Sequence, residues 1–252
     1  MATAVKSYFS STRIAVLALF SALAAVLYIF NFAIPFAFPG FLEFKFADVP
    51  VLIGTFALGP ASGCIIVVMM VLIKLVCVST STMFVGDFAD IVIGIAFCLP
   101  AGLIYRKNRT FKGAVWGMAA GSAVSVAVSV LANWLVLVPF YVQFMFGGSW
   151  EPLLGMMTPL FPSCTRENFY NFYLWVSVLP FNALRCLVAS LITVLVYKHV
   201  SRAINRLNAR IAPKQAVSPR LAAIRRTLVV LGVILAALIF AFFAVLRYLL
   251  AP

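Results

Sequence analysis

Long apolar runs, interrupted by short clusters of basic residues, constrain this chain more than any other feature. Read along the sequence they cover about 14–38, 49–59, 61–78, 88–105, 114–142, 174–197 and 228–250. Runs of this length without charge are how helices in lipid look, because a lipid-facing helix is apolar all round and must satisfy its own backbone. A hydrophobic fraction of 65% and a charged fraction of 10% leave too little polar surface for a soluble domain of 252 residues. The expected fold class is therefore all-α integral membrane. No polar stretch is long enough to fold as a separate domain.

The net charge of +13 does not point to nucleic acid, because the basic residues gather at the ends of the apolar runs. A lipid bilayer with anionic headgroups is the expected electrostatic partner. The clusters are Lys6/Arg13, Arg106/Lys107/Arg109/Lys112 and Lys198/Arg202/Arg206/Arg210; the six acidic residues are Glu43, Asp48, Asp87, Asp90, Glu151 and Glu167. Residues 49–78 read either as one kinked helix or as two helices broken at Gly59-Pro60. Only the break puts every basic cluster on one side and every acidic residue on the other, so the positive-inside rule favours it. The result is six spans between 14 and 197 in a multi-pass cell-membrane protein, with the N-terminus cytoplasmic. At 11 residues, the run 49–59 covers only about 17 Å of a core about 30 Å thick, so neighbours must complete it. The expected organisation is a six-helix unit over 1–200, a basic cytoplasmic linker over 201–227 and an additional transmembrane helix over 228–252. Residues 198–211 carry arginines four apart, a pattern suited to the membrane interface. Lys6 and Arg13 before an apolar run resemble a signal peptide, but the run passes Ala25 and reads as a retained span.

Catalytic patterns are missing: there is no Walker A loop, no H-E-x-x-H and no G-x-S-x-G. The five cysteines have no C-x-x-C spacing, and the single histidine, His199, has no clustered partner for a metal. Asp87 and Asp90, three apart, read either as a carboxylate pair or as residues capping the start of the fourth span, where a negative charge suits the helix dipole. The features left are of two kinds. Ala18-x-x-x-Ala22, with Ala15 and Ala25 near the same face, either lets another helix approach closely or reflects the abundance of alanine in membrane helices. The loop PGFLEFKFADVP (39–50) is either an interfacial aromatic belt or a flap over a ligand. Inside the spans lie Lys74, Asn133, Asn182 and Arg185. A charge there is costly and should face a cavity or partner, although Lys74 can also reach the outer interface. Asn182 and Arg185 are three apart on one face. An Asn amide offers adjacent donor and acceptor groups, suited either to an interhelical bond or to the amide-like edge of a heterocycle.

Over about residues 12–203 the chain resembles the substrate-binding S components of energy-coupling factor (ECF) transporters, and among them the riboflavin-specific members. The stretches that carry the resemblance are FLEFKFADVPVLIGTFALGPASG (41–63), FCLPAGLIYRKNRTFKGA (97–114), NWLVLVPFY (133–141) and LPFNALRCLVASLITVLVYKHVS (179–201). The resemblance implies a six-helix S-component fold, which leaves the helix at 228–250 as an addition. It implies a protein that is not an enzyme and has no cofactor, and that takes riboflavin as transported ligand from outside. Its implied partners are a transmembrane coupling subunit and two ATPase subunits. Ligand contacts are implied at Leu42, Glu43 and Phe44 of the loop, at Asn133, and at Asn182 with Arg185. The coupling contact is implied at Ala18 and Ala22. The chain departs from riboflavin members in having Arg185 where they usually carry Lys, and in having Lys74-Leu75 and Gly86-Asp87-Phe88-Ala89-Asp90 where they tend to K-N and G-E-x-x-N.

Overall fold

The computed structural model describes residues 11–80 and 82–211, with side chains described as far as residue 197. Lys6, the linker beyond residue 211 and the expected span 228–250 lie outside the described residues.

Helix α1 runs over Ser11–Ile29, nine residues short of the end expected from hydropathy. Beyond it the apolar run cannot stay helical, because Pro35 and Pro39 each lack a donor and clash with a preceding turn. The chain instead turns back as an antiparallel hairpin of β1 (Asn31–Ala33) and β2 (Glu43–Lys45), with Phe32 opposite Phe44. This hairpin is the one departure from the all-α expectation among the described residues.

Helix α2, Asp48–Leu58, follows directly and ends where the charge argument placed a break. Gly59 takes φ 97°, a region open to glycine, and Pro60 opens α3, Pro60–Cys77, at a position where its missing N–H costs nothing. The short helix does not need to span. Every residue from Val49 to Leu58 is buried, because α1, α3, α4 and α7 surround it. Its last turn is closed from outside: Arg13 Nη2 donates to the Leu58 carbonyl at 2.6 Å and to Ser62 Oγ at 3.1 Å. That guanidinium satisfies one of the carbonyls orphaned at a helix C-terminus.

Helix α4 covers Val85–Lys107, and α5 runs from Phe111 to Met145. These two pack most closely of all. A Cβ on Gly117 would lie 2.7 Å from the Ala101 carbonyl oxygen, and one on Gly121 2.3 Å from that of Phe97. Gly113, Gly117, Gly121, Ser125 and Ser129 recur every four residues along α5 and form one narrow seam, the device by which membrane helices approach without a hydrophobic driving force. Asn133 is the next residue in that series. After Ala132, α5 widens into π turns at Asn133–Leu137 and Tyr141–Met145, on either side of Pro139. The short helix α6, Glu151–Met157, caps this end. A π segment, Asn171–Val178, then leads into α7, Leu179–Ile211, with Pro180 in its first turn. Proline clashes with the carbonyl four residues back, and a widened turn relieves the clash. Residues 198–211, expected as a distinct interfacial segment, are backbone-continuous with α7.

Five described helical segments are long and apolar enough to cross a membrane: α1, α3, α4, α5 and Asn171–Tyr197. With the enclosed α2 they form a multi-pass membrane bundle. One end carries the hairpin and α6; the other carries Arg13, Arg106, Lys107, Arg109 and Lys112.

Candidate ligand site

The residues implied in ligand contact meet at the hairpin end, though not all in the same way. Asn133 is buried at the first π turn of α5. Its Oδ1 accepts from Tyr173 Oη at 2.5 Å, and its Nδ2 donates to the Ser129 carbonyl at 2.8 Å. An amide has two donors and two lone pairs, so one donor and one acceptor remain. Asn182 is buried on α7 and donates to the Val178 carbonyl at 2.9 Å. Both asparagines stand in or just after a widened turn, where carbonyls are loosened from the regular ladder and a side-chain amide can take them up.

The hairpin lies across this pair through aromatic contacts. Phe44 is buried, and its ring meets Phe181 edge-on at 6.3 Å; Phe38 meets the same ring at 5.3 Å. Phe41 lies 5.7 Å from Tyr173, the partner of Asn133. Leu42, next in the chain to Phe41, is half-buried. Glu43 points the other way. It is exposed and accepts from Asn31 Nδ2 at 2.6 Å across the hairpin, because side chains alternate along a strand and Phe44 takes the inward position. On the opposite flank, Trp150, Phe169 and Tyr173 pack with Val142, Leu153 and Met157. Phe169 and Tyr173 stack at 5.2 Å. Burial pushes the Cys164 thiol up, so it remains a neutral part of this cap.

Charges follow a pattern that spacing did not reveal. Arg185 on α7 is buried, with Nε 3.4 Å from Asp48 Oδ2 at the start of α2 and Nη2 3.4 Å from Ser125 Oγ. Lys45 of β2 binds Asp90 at 2.8 Å and sits 4.1 Å over the Tyr28 ring, while the Tyr28 hydroxyl also donates to Asp90. Lys74, expected to face a cavity or partner or to reach the outer interface, has a partner: it donates to Asp87 at 2.7 Å, and Thr80 Oγ1 donates to the same carboxylate at 2.6 Å. Asp87 and Asp90 are thus not helix caps; no side chain caps α4. A charge held inside a membrane bundle needs a partner, and these carboxylates take the lysines as theirs.

On the far half of α1, Ala15, Ala18 and Ala22 are exposed, together with Ser11, Ile14, Leu19, Leu23 and Val26. Ala25, expected on the same face, is buried against the bundle. The cysteines are all free, and no cluster of three metal-ligating side chains exists among the described residues.

What this arrangement offers is amide and guanidinium groups on α5 and α7, beside aromatic rings that join these helices to the hairpin. That suits a flat ligand with a polar edge. Among known proteins, the riboflavin transporter RibU of Staphylococcus aureus (strain TCH60) is 29% identical over 195 residues, 77% of this chain and 93% of that protein. The riboflavin transporter FmnP of Bacillus subtilis (strain 168) is 24% identical over 186 residues, 73% of this chain and 90% of that one. A solved structure described as the S component of a bacterial ECF transporter matches with a TM-score of 0.58 and 27% identity, covering 77% of this chain and 98% of that chain. The sequence model of the family "ECF transporter, substrate-specific component" matches residues 12–197. The chain belongs to the substrate-specific components of ECF transporters.

Proposed function

We propose that this chain is the riboflavin-binding component of an ECF-type importer, taking the vitamin from outside at the hairpin end. The observation that supports the reading is that the hairpin rings meet the immediate neighbours of these polar groups: Phe41 meets Tyr173, the partner of Asn133, and Phe38 and Phe44 meet Phe181, next to Asn182 and one turn before Arg185. The isoalloxazine edge alternates carbonyl acceptors with an N–H donor. Two asparagines with spare donors and acceptors, and a guanidinium, match that alternation. The ring faces then pack on the aromatic walls, where burial of a large apolar surface gives much of the affinity. The names of the two curated relatives agree with this ligand. Leu42 and Phe44 contribute from the hairpin, and Glu43 contributes only if the hairpin turns over on binding.

The basic end faces the cytoplasm in this reading, as the positive-inside rule requires, which places the N-terminus there too. The exposed stripe of Ala18 and Ala22 is the surface that meets the transmembrane coupling subunit, and two ATPase subunits drive the cycle. The chain itself acts as a binder without cofactor and not as an enzyme.

The test is a riboflavin titration of detergent-purified protein, read by quenching of the vitamin's fluorescence. Tight one-to-one quenching is expected, with Asn133→Ala and Asn182→Ala each weakening it by about tenfold or more, the scale of a hydrogen bond lost from a buried polar site. A protein that neither carries a yellow ligand nor quenches riboflavin at micromolar concentrations would overturn the ligand assignment.

A further inference from the structure

Arg185 is the member of the site whose bonding is least complete. A guanidinium has five N–H donors, and this one is about nine-tenths buried. Its contact with Ser125 lies at 3.4 Å, the far edge of hydrogen-bonding range. Its Nε is within ion-pair distance of Asp48 but makes no hydrogen bond among the described residues. Buried donors left open are costly unless something completes them.

The neighbouring acids cannot serve Arg185. Asp90 is engaged by Lys45 and Tyr28, and Asp87 by Lys74 and Thr80. Glu43 is exposed and bonded to Asn31. Asp48 alone among the described carboxylates lies within ion-pair distance of the guanidinium, and its own site is prepared. It stands in the first turn of α2, where the helix dipole favours a negative charge. It also follows β2 after only Phe46 and Ala47, so it is tied to the hairpin that crosses the site.

Resting on the riboflavin reading, we infer that Asp48 is a positioning residue of the ligand site. It holds the Arg185 guanidinium by an ion pair and cancels its charge. The site is then matched to an uncharged polar ring edge, and the remaining Arg185 donors stay free to bond it. An unpaired buried guanidinium would instead favour an anion or draw back toward whichever carboxylate it could reach.

The experiment is a double-mutant cycle on the full-length protein in detergent, using riboflavin as the probe. D48N is expected to weaken riboflavin binding about tenfold or more, as removal of one partner from a buried charge pair does. D48E, which returns the carboxylate on a longer arm, is expected to recover most of that loss. In R185M, where no guanidinium remains to be held, adding D48N is expected to change affinity by less than about threefold. If D48N costs as much in R185M as in the wild type, or D48E binds no better than D48N, then Asp48 merely shapes α2 and the inference is overturned. Should D48N fail to purify as folded protein, D48E carries the test alone. It should then weaken binding about threefold beside Arg185 and leave R185M unchanged, and equal effects in both overturn the inference. A wild-type protein that does not bind riboflavin fails the ligand assignment itself. A wild-type protein that binds without coupling between positions 48 and 185 fails only the role of Asp48.

Discussion

At the hairpin end, Asp48, Asp87 and Asp90 each face a cation, and three aromatic rings of the hairpin lie on α7 and on the π segment before it. At the basic end the described side chains meet differently. Phe56, Tyr105 and Tyr197 pack ring against ring, Gly63 and Gly102 let α2, α3 and α4 touch, and Arg13 closes the end of α2. Ion pairs hold the first region and close contact holds the second. Charged groups with donors or acceptors to spare can add contacts with a polar ligand. A seam of small residues and rings has no such alternative, since moving it only loses contact area. One end of the bundle is therefore built to respond to a ligand, and the other to keep its shape and present a surface.

The largest expected break in this contrast comes from the surface. Ala18→Trp puts a bulky ring on an exposed stripe that it shares with Ile14, Leu19, Leu23 and Val26. Ala18 is exposed, so the added ring has open space outside the core. Uptake of labelled riboflavin by cells that carry the coupling and ATPase subunits is expected to fall to background, while fluorescence titration of the purified variant stays within about twofold of wild type. Equal loss of uptake and binding would show that the basic half of α1 is part of the binding unit, and the two ends would not be separable.

A smaller break lies in the hairpin. Lys45 joins β2 to Asp90 of α4 and to the Tyr28 ring of α1. Both partners of that ion pair keep a fifth to a quarter of their side-chain surface exposed, so screening limits its strength to about 1 kcal/mol or less. Lys45→Met keeps the length and apolar stem and removes the charge. Riboflavin dissociation, followed after dilution, is expected to quicken about fivefold, the ratio that 1 kcal/mol supports. Association is expected to change little, because a released hairpin still finds its aromatic contacts. Unchanged dissociation would mean that the rings alone hold the hairpin across the site.

Much of this contrast was legible in the residues, and the rest was hidden for physical reasons. The separation of signs along the chain located the break at Gly59-Pro60, because both the positive-inside rule and the geometry of proline act locally. Asn133, Asn182 and Arg185 stood out because polar groups inside apolar runs are costly. Their partners did not stand out. Asp48, Lys45 and Tyr173 lie in segments where charge and aromatic residues are ordinary, and only the tertiary fold brings them to Arg185, Asp90 and Asn133. The early end of α1 was concealed by an apolar run that continues into the hairpin, since hydropathy does not distinguish a membrane helix from an apolar strand and turn. The four-residue recurrence from Gly113 to Ser129 was a readable signal, and it marks the α4–α5 seam.

The finest test of the contrast is at the other end, in the pair of hydroxyls from Tyr105 on α4 and Tyr197 on α7, which lie 2.9 Å apart. Tyr197→Phe removes one hydroxyl and leaves the ring packed on Phe56 and Phe111. A neutral hydrogen bond of this kind contributes about 1 kcal/mol net, so the thermal midpoint in detergent is expected to fall by about 2–4 °C. Riboflavin affinity is expected to stay within experimental error of wild type, because no ion pair or aromatic contact of the hairpin end passes through either tyrosine. If affinity instead fell several-fold while the midpoint held, the basic end would be taking part in ligand binding through α4 or α7. The division between a responsive end and a rigid end would then give way to one cooperative unit.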